Sequence, residues 1–343
     1  MKKILKILLS FLVLQGGLLF AEERIVLKIA TVAPANSPWD VELKKVAAEW
    51  NRITNGTVSI QFQNMTTLGG EKAGIQRMQA RRPGQRAPLD GAIFTSIGLN
   101  ELAPNAKIFT LSSPFLIRSQ EALDLVIKNY GREIESEYEK VGVQLLAWTN
   151  AGWLRFYTRG SYTSVDGLKK QRIACSSSDS SALSNALRVA GFNVKDIPVN
   201  KFSQSLKTGA FDGFYSVPML AFYTGDYRSI SYGLDTRLCP VMCGLVISTT
   251  SWEKIPVKYH ADLKAVLART IEKLNADLEK FDIEYTERMK KQGLQIITLD
   301  NAQVQSWVTT LNDDMRKAAA AYPNLFNINL YDRIKTALEK MQK

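Results

Sequence analysis

The stretch from Val257 to Gln292 reads VKYHADLKAVLARTIEKLNADLEKFDIEYTERMKKQ and contains neither glycine nor proline. Leu263, Val266, Leu267, Leu274, Leu278, Phe281, Tyr285 and Met289 recur along it at helical spacing, which predicts one continuous helix. About 36 residues at 1.5 Å each extend roughly 54 Å. A helix of that length does not fit inside one small lobe, so it should brace two. The length of 343 residues agrees, since the usual domain size gives a prior of about two.

Upstream of this helix, strand and helix patterns alternate. Ile25-Val26-Leu27-Lys28-Ile29-Ala30 is a strand without strict alternation, as expected of a sheet covered on both faces. Ser37-Pro38-Trp39-Asp40 then places Ser at the N-cap, Pro at the first helical position and Asp at the third. Val58 to Phe62 alternates as a strand, Leu68-Gly69-Gly70-Glu71 opens a helix, and Leu89 to Thr95 is a short apolar strand. The GxxxxGK[ST] phosphate loop is absent. Ser113-Pro114-Phe115-Leu116 reads as a surface turn, Gln120 to Tyr138 as a helix and Val143 to Trp148 as a strand. The second half repeats the class: strand Arg172 to Cys175, a serine-rich run Ser176 to Ser181, a helix ending at Gly191, and Ala210-Phe211-Asp212-Gly213-Phe214. This alternation defines an α/β sheet protein with crossover connections.

The single histidine, His260, excludes HExxH zincins and His-rich metal centres. It reads as a surface residue. No metal and no cofactor is expected. The N-terminus carries Lys2, Lys3 and Lys6, an apolar run from Ile7 to Phe20, and Ala21-Glu22-Glu23, the pattern of a secretory signal peptide over residues 1–21. The run is short for a spanning helix, although an uncleaved anchor is the alternative. Removing the three lysines lowers the formal charge from +11 by three, to +8. The remaining basic residues are scattered, with Arg81, Arg82 and Arg86 the densest group, so nucleic acid is not an expected partner. Cys175, Cys239 and Cys243 are an odd count for an exported chain. They read as buried small hydrophobes.

The order of these features resembles the substrate-binding subunit of the tripartite ATP-independent periplasmic (TRAP) transporters, from about Leu27 to the long helix. The resemblance is carried by Leu27-Lys28-Ile29-Ala30 with Pro34 and Ser37-Pro38, by Leu68-Gly69-Gly70-Glu71, Leu89-Asp90 and Ser113 to Ser119. It continues through Gly152-Trp153, Val165-Asp166 with Leu168-Lys169, and Leu206-Lys207-Thr208-Gly209-Ala210-Phe211-Asp212-Gly213. It implies a two-lobed periplasmic binding protein with hinge strands and a long lobe-bracing helix. The ligand lies between lobes that close over it, and the loaded protein then docks on membrane subunits. It also implies a periplasmic location and no enzymatic activity. A tetratricopeptide-repeat periplasmic partner, present in some systems of the family, stays open. The expected division is residues 22–149 plus 239–258 for one lobe and 150–238 plus 259–343 for the other.

In the family, an arginine ending the Asp-Leu-Lys-Gly-Leu-Lys-x-Arg segment grips a substrate carboxylate with its two-pronged guanidinium. The gapless register puts Ala174 at that place; a two-residue deletion would make Arg172 the anchor. Arg155 is a second candidate. After Asp212-Gly213 the family is usually polar, whereas this chain has Phe214-Tyr215-Ser216 and then Met219. With Trp153, and with Trp39 and Thr95 from the first lobe, these residues are the expected lining. Ser176, starting the serine run, is placed to meet an acid head at a helix start. Such a pocket suits a hydrophobic or amphipathic ligand, such as a fatty or other apolar carboxylic acid. The alternative is an ordinary dicarboxylate or keto acid receptor anchored by Arg172 or Arg155. A periplasmic hydrolase lacks support, because the serine run has no GxSxG elbow.

Overall fold

The computed structural model describes residues 24–80, 85–175 and 180–341. The signal peptide expectation and Ser176 lie outside these residues. Two sheets form. The first runs in the order β2-β1-β3-β10-β4, with β1 Ile25–Thr31, β2 Val58–Asn64, β3 Gly91–Thr95, β4 Val143–Trp153 and β10 Pro240–Ser248. The second runs β11-β9-β5-β8-β6-β7, with β5 Arg155–Thr158, β6 Arg172–Cys175, β7 Asn193–Asp196, β8 Gly213–Ser216, β9 Tyr232–Leu234 and β11 Gln295–Ile297. Strands β1, β2 and β3 are mutually parallel, and β10 is antiparallel to β3 and β4. In the second sheet β6 is parallel to β7 and β8, while β5 is antiparallel to β8 and β9.

The helices used below are α1 Pro38–Ile53, α2 Glu71–Gln79, α3 Ser96–Leu102, α4 Gln120–Lys140, α5 Ser181–Val189, α6 Pro218–Thr224, α7 Val257–Lys290, α8 Asn301–Ala321 and α9 Ile328–Met341. Helix α1 starts as its sequence dictates: the Asp40 N–H donates to Ser37 Oγ at 3.2 Å, and Pro38 occupies the first position. Among the described residues no helix is long and apolar enough to cross a membrane.

Only Leu154 separates β4 from β5. The other crossing, between β9 and β10, is tied to it: the Leu154 N–H donates to Cys239 O at 2.9 Å and the Leu238 N–H to Leu154 O at 3.0 Å. Helix α7 joins both halves. Its Leu263, Val266 and Leu267 pack with Leu27, Trp50, Ile93 and Leu245 of the first sheet. Its Met289 packs with Phe211, Phe214 and Tyr227 of the second. The helix ends at Lys290, two residues before the expected Gln292, where the chain turns toward Gly293 at φ +102°.

Two expectations change. The first half of α7 and the buried face of α9 (Leu330, Tyr331, Ile334 and Leu338) belong to clusters of the first sheet. Residues 259–343 are therefore not a block of the second lobe, because an amphipathic helix follows whichever apolar face it can cover. The Ser113–Leu116 segment is buried rather than a surface turn. Phe115, at φ +60°, donates its N–H to Leu238 O at 2.7 Å and packs with Leu238 of the β9–β10 connection and Phe156 of the second sheet.

Gly152 sits at φ +139°, and a Cβ there would lie 2.9 Å from Val217 Cβ. Gly152→Ala is expected to destabilise the fold by about 1–3 kcal/mol in urea unfolding, and adding Val217→Ala should restore only the steric part.

Candidate functional site

Strand direction brings two strand edges together at the crossing. Strand β4 is antiparallel to β10 and β10 to β3, so Trp153 ends β4 on the edge where β1 and β3 also end. Strand β5 begins at Arg155, level with Ser216 at the end of β8. The crossing therefore brings together the C-terminal edges of the parallel strands of both sheets, the edges where open α/β sheets bind ligands.

On the first sheet, Thr95 ends β3. Its N–H and Oγ1 donate to the Glu71 carboxylate at 2.8 and 2.5 Å, and the same carboxylate accepts the Gly98 N–H at 3.1 Å. Glu71 is buried at the start of α2, delivered there by Gly69 at φ +100° and Gly70 at φ +98°. A Cβ at Gly98 would overlap the carboxylate. The Leu68-Gly69-Gly70-Glu71 motif thus orients the β3–α3 turn. Thr95 Oγ1 also accepts the Ile97 N–H at 3.2 Å.

Trp39 and Met219 come together from opposite halves, packed with Leu274 and Tyr285 of α7. The Trp39 indole N–H is buried without a hydrogen-bond partner among the described residues. Beside them Tyr223 OH donates to Asn36 O at 3.3 Å and meets Tyr285 OH at 3.3 Å. Trp153 is buried in the first-sheet core, with the Arg237 guanidinium 5.8 Å from its ring centroid.

Phe214 and Tyr215 point to opposite faces of β8. Phe214 stacks on Tyr157 at 5.3 Å and lies in the lobe core with Ala174 and Leu206. Tyr215 is half-buried; it meets Phe156 edge-on at 6.2 Å, and its OH is 3.2 Å from Cys175 Sγ at the end of β6. Ser216 is buried, level with Arg155. Ser180 N-caps α5 by accepting the Leu183 N–H at 3.3 Å.

Both candidate arginines are already committed. Arg172 begins β6, at the edge away from the crossing. Its Nε and Nη2 donate to the two Asp212 oxygens at 2.8 and 2.6 Å, and Nη2 also reaches Gly209 O at 2.9 Å. Hydrogen bonding from Arg172 holds the Asp212 carboxyl below the usual carboxylate range. Arg155 is buried, 3.2 Å from Asp235, 3.6 Å from Asp282 and 3.3 Å from Thr286 Oγ1. Burial pushes Asp282 up to about 6, despite the opposing pull of Arg155 and Arg237. Asp282 was not among the expected site residues. Its signal in sequence is position: with Leu278, Tyr285 and Met289 it shares the buried stripe of α7.

His260 is half-buried rather than free on the surface; its Nε2 lies 2.8 Å from Ile255 O and its ring 4.3 Å from that of Trp252. All three cysteines are buried free thiols. Burial pushes Cys239 up to about 12 and raises Cys175 and Cys243 as well, which suppresses thiolate chemistry. No cluster of metal-ligating side chains occurs among the described residues.

The chain belongs to the bacterial extracellular solute-binding protein family 7, whose model matches residues 29–321. Its fold is that of the TRAP periplasmic solute-binding proteins. It resembles one from Xanthobacter autotrophicus Py2 with bound β-D-galacturonate (22% identity, TM-score 0.77, 90% of this chain and 99% of that one). Another, from Desulfovibrio salexigens with bound orotic acid, has 18% identity, a TM-score of 0.80 and coverage of 92% and 99%. A third, from Fusobacterium nucleatum with bound sn-glycerol-3-phosphate, has 17% identity, a TM-score of 0.78 and coverage of 93% and 98%. No curated protein matches the chain.

Because the folded-state pKa of Asp282 is raised to about 6 from 3.8, its carboxyl favours folding when protonated. That contribution is lost as pH rises from about 4 to about 6. Relative to the native chain, Asp282→Asn is therefore expected to gain up to about 3 kcal/mol between pH 4 and pH 7, read by urea unfolding at both values.

Proposed function

We propose that the protein is the periplasmic receptor of a TRAP-type transporter, exported by residues 1–21, doing no chemistry and delivering its ligand to membrane subunits. The ligand is a small amphipathic acid with a substantial apolar part, taken between the strand ends that carry Thr95, Tyr215 and Ser216. The observation that carries this reading is the state of the arginines. Arg172 is held by Asp212 at the far edge and Arg155 is neutralised within a buried cluster, so neither offers a free fork to a second carboxylate. Affinity then rests on apolar burial, about 25 cal/mol per Å² before binding costs.

The polar acids in the structural relatives favour the second reading, an ordinary organic-acid receptor. Calorimetry separates the two. Hexanoate, octanoate and decanoate should bind with affinity rising about fourfold per methylene, from about 0.8 kcal/mol each, and Arg172→Ala should lower thermal stability while leaving affinity unchanged. Tighter binding of glucuronate or orotate, abolished by Arg172→Ala or Arg155→Gln, would establish the second reading instead.

A further inference from the structure

A charged cluster lies at the crossing. Arg155 opens β5, Asp235 and Arg237 lie on the connection between β9 and β10, and Glu279 and Asp282 come from α7. Arg155 stands 3.2 Å from Asp235 and 3.6 Å from Asp282; Arg237 stands 3.2 Å from Glu279 and 3.9 Å from Asp282. Both crossing connections thus face the bracing helix through one carboxylate.

That carboxylate is 2% exposed. Asp282 Oδ2 and Arg155 Nε have no hydrogen-bond partner among the described residues. The contacts from the two arginines to Asp282 are longer than hydrogen bonds, so charge rather than directed bonding ties them to that carboxylate, while Arg155 and Arg237 keep hydrogen bonds to Asp235 and Glu279. Such an arrangement responds strongly to any change in hydration. Tyr157, also buried, has an unpartnered hydroxyl and lies within the field of Arg155 and Asp282.

We infer that closing of the lobes is linked to proton uptake at Asp282. Helix α7 is rooted in both halves, by Leu263, Val266 and Leu267 in one and Met289 in the other. A hinge rotation must therefore move the crossing strands against the stretch between those anchors, where Asp282 sits, and admit water to the cluster. The closed arrangement then holds a proton more tightly than the open one, and acid favours closure. The direction is set by burial outweighing Arg155 and Arg237, with Glu279 and Asp235 adding to it. This inference rests on the reading of the protein as a receptor that closes.

The test is the distance between spin labels at Thr67→Cys and Lys201→Cys, exposed positions on Met65–Leu68 of the first half and Val199–Lys201 of the second, two segments that meet. In the protein stripped of ligand, the closed-to-open ratio should rise about tenfold from pH 7.5 to pH 5 if opening restores an ordinary carboxyl. Asp282→Asn should abolish that dependence. Arg237→Gln removes a half-exposed guanidinium and should move the transition to higher pH, which covers the case of an Asp282 variant that does not fold. A ratio independent of pH, or the same pH dependence in Asp282→Asn, overturns the inference. Adding octanoate, glucuronate and orotate in turn distinguishes the two levels. A distance that shortens with one of these probes but not with acid defeats the proton link alone. A distance that none of them changes, with acid also without effect, defeats the closing receptor as well.

Discussion

Everything in this molecule depends on two backbone hydrogen bonds and one helix. Leu154 and the Leu238–Cys239 peptide pair with each other where the chain passes between sheets. Two extended connections side by side resist splaying but leave bending as a soft motion. Alone they would be a weak joint. Helix α7 crosses the same place and is packed into both halves, so the joint moves only as the packing along that helix permits.

The site follows from the same constraint. Crossing at Trp153 and Arg155 forces the C-terminal edges of β1, β3, β6 and β8 toward one another, whatever the ligand. In the function proposed here, specificity is set by what those edges carry. Glu71 commits its carboxylate to fixing Thr95 and Gly98, which orders the β3–α3 turn. Tyr215 and Ser216 present an aromatic body and a small polar group from the facing edge. The arginines serve the scaffold: Arg172 ties β6 to Asp212, and Arg155 answers a buried carboxylate on α7.

Much of this was legible in the sequence, for identifiable reasons. The stripe from Leu263 to Met289 gave a helix too long for one lobe, and Ser37-Pro38-x-Asp40 gave its neighbour's start. Both signals are local, and local signals survive without a fold. The burial of Phe115 was not legible, because a Ser-Pro turn says nothing about which lobe its next residue will plug. Ala174 and Phe214 lie inside the second lobe for a similar reason: alternation says that neighbours on a strand diverge, but only the covering helices decide which face is core. Asp282 was visible as a charge on an apolar stripe. Its partners Arg155, Asp235 and Arg237 are too far away in sequence to be paired with it by spacing.

We propose that this receptor takes a small acid held chiefly by its apolar part. Native mass spectrometry of the protein purified from its own cells, followed by denaturing extraction, tests it most directly. A retained fatty or other apolar carboxylic acid in one-to-one ratio is the expected result. Recovery of a polar dicarboxylate, uronate or keto acid in that ratio would contradict it.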